Sequence, residues 1–258
     1  MIKIISAIVF GVVMVGVALI LFYPTKVTEF KVTEEVKIVE AKIPIVITTT
    51  NPTVTDYQLP PIEDGMAPVI TNIPTKKNVV FLTIDDGTFK DKSVVDILAT
   101  NHIKASLFLT KGSISNEPEF FKQLEEQGSI VENHTLSHNT KMSKIMPYNS
   151  QKVEICGMSD YIVEQYGQRP FLYRPPGGAY SNIMREAAAD CGMKAVVIWT
   201  ATVDKGVMHY QVGETLRPGD IVLMHFRPQF KKDINAFLKA ATAAGLQTEL
   251  LEDYIQNN

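Results

Sequence analysis

Two short motifs carry residue types that can hold a metal ion and put it to work. Asp85-Asp86-Gly87 ends the apolar run Asn78–Ile84, and His134-Thr135-Leu136-Ser137-His138 follows about fifty residues later. Histidines at i and i+4 share one face of a helical turn, so a helical reading of this motif aims both imidazoles at one ion. Asp86 as a third ligand leaves a position open for water or substrate, as in catalytic rather than structural zinc sites. Asp85 is then left over as a base for that water. In a regular strand the adjacent Asp85 and Asp86 point to opposite faces. Both reach one site only if the chain bends, which Gly87 permits. Either motif alone is commonplace, since Asp-Asp-Gly is a frequent turn and spaced histidines are frequent on surfaces. Their co-occurrence in a chain with 5 His points to a metal-dependent hydrolase.

The elements that must position these residues alternate between strand-like and helix-like runs. Strands are expected at Asn78–Ile84, Ala105–Thr110, Ser129–Glu132, Phe171–Tyr173, Ala195–Trp199, Asp220–Met224 and Gln247–Leu250. Helices are expected at Lys92–Asn101, Glu117–Gln127, Ser150–Tyr166, Ser181–Cys191 and Lys232–Ala244, with Pro118 in a first turn and glycines closing several ends. This alternation predicts a parallel α/β sheet or barrel, and about 180 residues is short for eight full units. Asp85, Asp86, His134, Arg174, Asp204 and His225 all fall at or beyond strand C-termini, the rim where such folds build sites.

The N-terminal part reads differently. Ile4–Phe22 is an uncharged apolar run after Lys3, nineteen residues and thus about long enough to cross a bilayer. No small-residue cleavage site is evident, so an uncleaved signal anchor over 1–23 is the first reading and a cleaved signal the second. Residues 24–77, punctuated by Pro44, Pro52, Pro60, Pro61, Pro68 and Pro74, read as an extracellular stalk, with 78–258 as the catalytic domain. The expected location is therefore the cell membrane, with that domain outside the cytoplasm. Net charge −3 without Lys/Arg clusters argues against nucleic acid and against a basic membrane-binding patch, and no protein partner is inferred. His102 and His209-Tyr210 read as solvated positions. Cys156 and Cys191 read as buried free thiols, although a disulfide is chemically allowed outside the membrane.

Thr83-Ile84-Asp85-Asp86-Gly87, His134-Thr135-Leu136-Ser137-His138, Arg174-Pro175-Pro176-Gly177-Gly178 and Leu223-Met224-His225 resemble, in order, the motifs of the NodB-like polysaccharide deacetylases. The resemblance spans roughly Asn78–Tyr254 and implies a distorted, incomplete (β/α) barrel. It implies removal of N- or O-acetyl groups from a polymer such as peptidoglycan, chitin or xylan. Asp86, His134 and His138 would hold one divalent ion, zinc or a relative of it. Asp85 would be the base, Arg174 its orienting partner and His225 the acid for the leaving amine. The Gly177 amide would donate to the oxyanion, with Pro176, Leu223 and Trp199 on the substrate side. The family usually has an Asp-Trp pair after the Trp199 strand. Here Asp204-Lys205 stands one residue short of that spacing, so either Asp204 tunes His225 or the loop is remodelled. Three readings remain open: an extracellular metal-dependent deacetylase, a glycan-binding or scaffold protein with impaired turnover, and a small-molecule amide hydrolase.

Overall fold

The computed structural model describes residues 57–256. The expected anchor over 1–23 and the stalk up to residue 56 lie outside the described residues. Among the described residues no helix is long and apolar enough to cross a membrane.

The chain runs β1 (Tyr57–Gln58), β2 (Val69–Ile70), β3 (Val79–Asp86), α1 (Lys92–Thr100), β4 (Ser106–Leu109), α2 (Lys111–Ile114), α3 (Pro118–Glu126) and β5 (Ile130–Asn133). It continues through α4 (Met142–Ile145), α5 (Tyr148–Tyr166), β6 (Leu172–Tyr173), a 3₁₀ turn at Pro176–Gly178, α6 (Asn182–Asp190), β7 (Ala195–Val197), β8 (Ala201–Asp204) and β9 (Val207–Tyr210). The last elements are β10 (Ile221–His225), α7 (Phe230–Ala243), β11 (Gln247–Glu249), a 3₁₀ turn at Leu251–Tyr254 and β12 (Ile255–Gln256).

The main sheet has the order β2-β7-β6-β5-β4-β3-β10-β8-β9, with β11 added beside β3. Every pairing in it is parallel except β8–β9. Its end strands β2 and β9 do not pair with each other among the described residues, so the barrel stays incomplete. β3 is buried along seven of its eight residues because a central parallel strand is covered on both faces. Alternation sorts its side chains. Val80, Leu82 and Ile84 join Leu107, Val222 and Met224 in an outer core against Val94, Leu98, Phe121 and Phe237 of the helices. Phe81 points the other way, into an inner core with Phe108, Leu172, Val197 and Ile221. A third core packs Tyr173 and Val196 against α5 and α6.

Residues 57–77, expected as the end of the stalk, belong to this unit. Ala67, Ile70 and Ile73 are buried, and Tyr57 and Leu59 pack against the inner core. β1 pairs with β12, and the Ile73 amide donates to the Gly219 carbonyl at 2.9 Å. Prolines here end short strands rather than stiffen a spacer, which the composition alone disguised. α5 and α6 are joined by a Cys156–Cys191 disulfide, which corrects the reading of two free thiols.

Candidate active site

The site sits where β3, β5, β6 and β10 end. The bend that lets both carboxylates face it begins at Asp86 itself, with φ +75, and continues through Gly87 at φ +86. Gly87 is also packed: a Cβ there would lie 2.4 Å from Ile114 Cγ2 and 3.0 Å from Phe121 Cζ. A non-glycine residue with positive φ is uncommon, and such strain gathers at functional sites.

The two histidines are not on a helix, which corrects the helical reading of their spacing. They lie on an irregular loop after β5, with Thr135 at φ +73 and His138 at φ +56. The loop brings the rings to 4.9 Å between centroids. His134 Nδ1 lies 2.7 Å from the carbonyl oxygen of Arg174. That contact assigns the proton to Nδ1 and leaves the Nε2 lone pair facing the carboxylates, as a metal-ligating imidazole requires.

Ligand atoms of Asp86, His134 and His138 lie within 4.8 Å of one another. Asp86 Oδ1 is 3.1 Å from His138 Nε2 and 3.6 Å from His134 Nε2, yet this buried oxygen accepts no hydrogen bond. An orphaned carboxylate oxygen among imidazole nitrogens fits a divalent cation, since buried polar atoms otherwise find a donor. Burial acts to raise the Asp86 carboxyl, but the two imidazoles outweigh it and hold it far below the usual carboxylate range. Asp86 in turn raises the His138 imidazole.

Asp85 is treated differently from its neighbour. Arg174 Nη1 donates to its Oδ1 at 2.7 Å, and its Oδ2 lies 3.6 Å from His134 Nε2. The guanidinium is fully buried. Nη1 also donates to Thr83 Oγ1 at 2.8 Å and Nε to the Val197 carbonyl at 3.1 Å, with the Phe108 ring 4.1 Å away. Burial lowers the Arg174 pKa and the Asp85 charge opposes that fall. Thr83 was not anticipated as part of the site. Its signal was the one hydroxyl in an apolar strand, two residues before Asp85 and therefore on the same face.

His225 is the register partner of Asp85 across β3–β10. Burial lowers its imidazole pKa, against the charges of Asp85 and Asp86. Leu223 precedes it by two residues on the same face and is buried. Pro176 and Gly177 form the 3₁₀ turn after Arg174, with Gly177 at φ +69. A Cβ on Gly178 would meet the Trp199 ring at 2.7 Å, so this glycine lets the indole close over the turn. The Trp199 ring stands 5.6 Å from the Arg174 guanidinium.

Asp204 is brought near the rim, but its carboxylate is engaged elsewhere. It accepts from Arg227 Nη1 and Gln229 Nε2, each at 3.3 Å, and Lys205 Nζ is 3.7 Å away. The expected loop around it is a β-hairpin. β8 and β9 are joined by Lys205-Gly206, both with positive φ, the two-residue turn such hairpins favour. His209 and Tyr210 therefore lie on β9 rather than in a loop, and His209 is exposed there.

Comparisons with known proteins agree with this geometry. A family model described as polysaccharide deacetylase matches residues 72–196. An uncharacterised protein of Streptomyces coelicolor is 34% identical over 196 residues, covering 74% of this chain and 78% of that protein. A peptidoglycan-N-acetylglucosamine deacetylase of Bacillus cereus is 26% identical, covering 67% and 69%. A solved CE4 family pseudoenzyme from Bacillus anthracis superposes with TM-score 0.63 at 19% identity, covering 73% and 70%. The fold, the ordered motifs and these matches lead to one conclusion: the chain belongs to the NodB-like (CE4) polysaccharide deacetylase family.

Proposed function

We propose that this protein hydrolyses acetyl groups, chiefly N-acetyl, from an extracellular polysaccharide of the peptidoglycan or chitin type, with one divalent ion. The observation that carries the reading is the convergence of Asp86, His134 and His138 beside an Asp85 already claimed by Arg174. Two imidazoles and one carboxylate are a donor set suited to zinc. Held there, the ion would supply Lewis acidity, acidifying a water and polarising the acetyl carbonyl.

The chain's own groups then divide the work. Arg174 occupies and orients Asp85 Oδ1, so Oδ2 is the atom that takes the proton from water. The Gly177 N–H is the donor for the tetrahedral oxyanion. His225 gives a proton to the departing amine, without which an amide bond cleaves poorly. Leu223, Pro176 and Trp199 enclose the acetyl methyl and exclude water.

The substrate class is supported by the named relatives, a peptidoglycan-N-acetylglucosamine deacetylase among them. Action outside the cytoplasm is supported by the disulfide and by the apolar N-terminal run, which would anchor the chain in the membrane. The test is acetate release from peptidoglycan and from N-acetylated chito-oligomers, with and without chelator and with zinc restored. Chelator-sensitive release is expected. Metal and glycan binding without release would favour the impaired-turnover reading, to which the engagement of Asp204 away from His225 lends support. Release from small acetamides alone would favour the small-molecule reading.

A further inference from the structure

His134 and His138 are held by different means. The His134 ring is tied through Nδ1 to the Arg174 carbonyl. The His138 ring makes no such bond among the described residues, and its side chain is 34% exposed. It also sits on a backbone with two left-handed, non-glycine residues, Thr135 and His138. Each such residue costs on the order of 1 kcal/mol or more and persists only where surrounding contacts dictate it.

The Thr110–Gly112 segment holds the Thr135 and Leu136 carbonyls, through the Lys111 and Gly112 amides and Thr110 Oγ1, and the remaining contacts across the loop come from one stretch of α5. The Glu154 carboxylate takes both hydrogen bonds of Ser137, from the amide to Oε2 at 2.9 Å and from the hydroxyl to Oε1 at 2.8 Å. The Glu154 carbonyl accepts from the Leu136 amide at 3.2 Å. From the residue after it, the Ile155 carbonyl accepts from Asn133 Nδ2 at 2.8 Å, as does Ser159 Oγ about a turn further on at 2.9 Å, while Asn133 Oδ1 accepts from the Thr135 amide at 3.0 Å. Cys156, two residues after Glu154, is cross-linked to α6. The loop is thus laced to a helix that is itself covalently braced.

We propose that Glu154 is a positioning residue for metal binding: by gripping Ser137 at two points it fixes the left-handed turn that aims His138 Nε2 at Asp86. This rests on the metal reading of Asp86, His134 and His138. Its partner is the residue next to His138 in the chain, so a lost grip reaches that imidazole directly. His134, tied to Arg174 by a separate bond, keeps its place. Partners that orient metal ligands typically contribute 10- to 100-fold in affinity.

The test is zinc titration of the metal-free full chain by calorimetry, with the melting temperature of the metal-free protein as control. Glu154→Ala should weaken zinc binding by about 10-fold while the metal-free melting temperature stays close to wild type. Glu154→Gln should recover most of the affinity, because its amide can accept from the Ser137 N–H and donate to the Ser137 hydroxyl. A merely structural role would move the melting temperature and would not separate the two substitutions in affinity. Ser137→Ala, at an exposed position, removes one of the two grips and should give an intermediate loss. If Glu154→Ala does not fold, the Gln and Ser137→Ala variants decide. Wild-type affinity in Glu154→Ala, or in Ser137→Ala where that variant decides, overturns the positioning role and leaves the metal site standing. No zinc binding by the wild-type chain would instead overturn the metal reading itself.

Discussion

Arg174 and His134 are bonded through the arginine's main chain while the arginine's side chain holds Asp85. One residue thereby fixes the tautomer of a candidate ligand and the orientation of a candidate base. Arg174→Lys keeps the charge but loses the forked geometry that reaches Thr83, Asp85 and Val197 together. It should lower kcat for acetate release by about 100-fold with zinc stoichiometry unchanged, since the carbonyl remains. Loss of zinc together with activity would show that the side chain also holds the ligand loop.

The two adjacent aspartates should separate in assay. Asp85→Asn should retain one zinc per chain and lose acetate release by about 10³-fold, as expected for a removed base. Asp86→Asn should lose zinc first, seen by metal analysis after gel filtration. Equal zinc contents in the two variants would contradict this division.

His225 supplies a pH dependence with a definite sign. An acid must be protonated to act, and burial lowers the His225 pKa, so the basic limb of kcat/KM lies below that of an ordinary histidine. The nearby Arg227 charge also lowers it, so Arg227→Gln should move the limb to higher pH. Asp204→Asn should leave the limb in place, because that carboxylate answers to Arg227 and Gln229. His225→Ala should slow N-deacetylation severely and O-deacetylation less, since an alkoxide leaves more readily than an amide nitrogen.

A second pH effect concerns stability. Glu132 and Glu252 are buried in the barrel interior. Ser106 donates to Glu252, and the Phe171 and Leu172 amides donate to Glu132, yet one oxygen of each glutamate has no hydrogen-bond partner. Burial, then the Glu252 charge, pushes Glu132 well above the ordinary range, and burial pushes Glu252 up to about 7. The folded state therefore binds more protons than the unfolded chain between about pH 4.3 and that value. Stability is full below the window and is lost as pH rises through it, by a few kcal/mol. The melting temperature should be roughly 5 °C or more higher at pH 5 than at pH 7.5. Glu252→Gln should flatten that slope, and an unchanged slope would assign it to other groups.

Most of the barrel was legible because its signal is local. The buried strand expected at Asn78–Ile84 is met by β3, and the helix expected over Ser181–Cys191 by α6, which Ser181 caps by accepting from the Met184 amide. The motif residues were legible as types, and Asp86, His134 and His138 do converge. Their geometry was not legible, because the helical inference from i,i+4 spacing fails where Thr135 and His138 turn left-handed, on a loop held from both sides by Thr110–Gly112 and by α5, each distant in sequence. The Lys205-Gly206 turn had one readable signal, Gly206 between two short runs, but a family expectation of a loop obscured it. The membership of residues 57–77 and the pairing of Cys156 with Cys191 depend on tertiary proximity, which no window of sequence contains.

The Cys156–Cys191 cross-link encloses the stretch that carries Arg174, Gly177 and Tyr180 within a closed covalent ring. A protease that nicks the exposed backbone near Tyr180 would therefore liberate no fragment. The cut chain would run as a single species on a denaturing gel until a reductant is added, and would then fall into two.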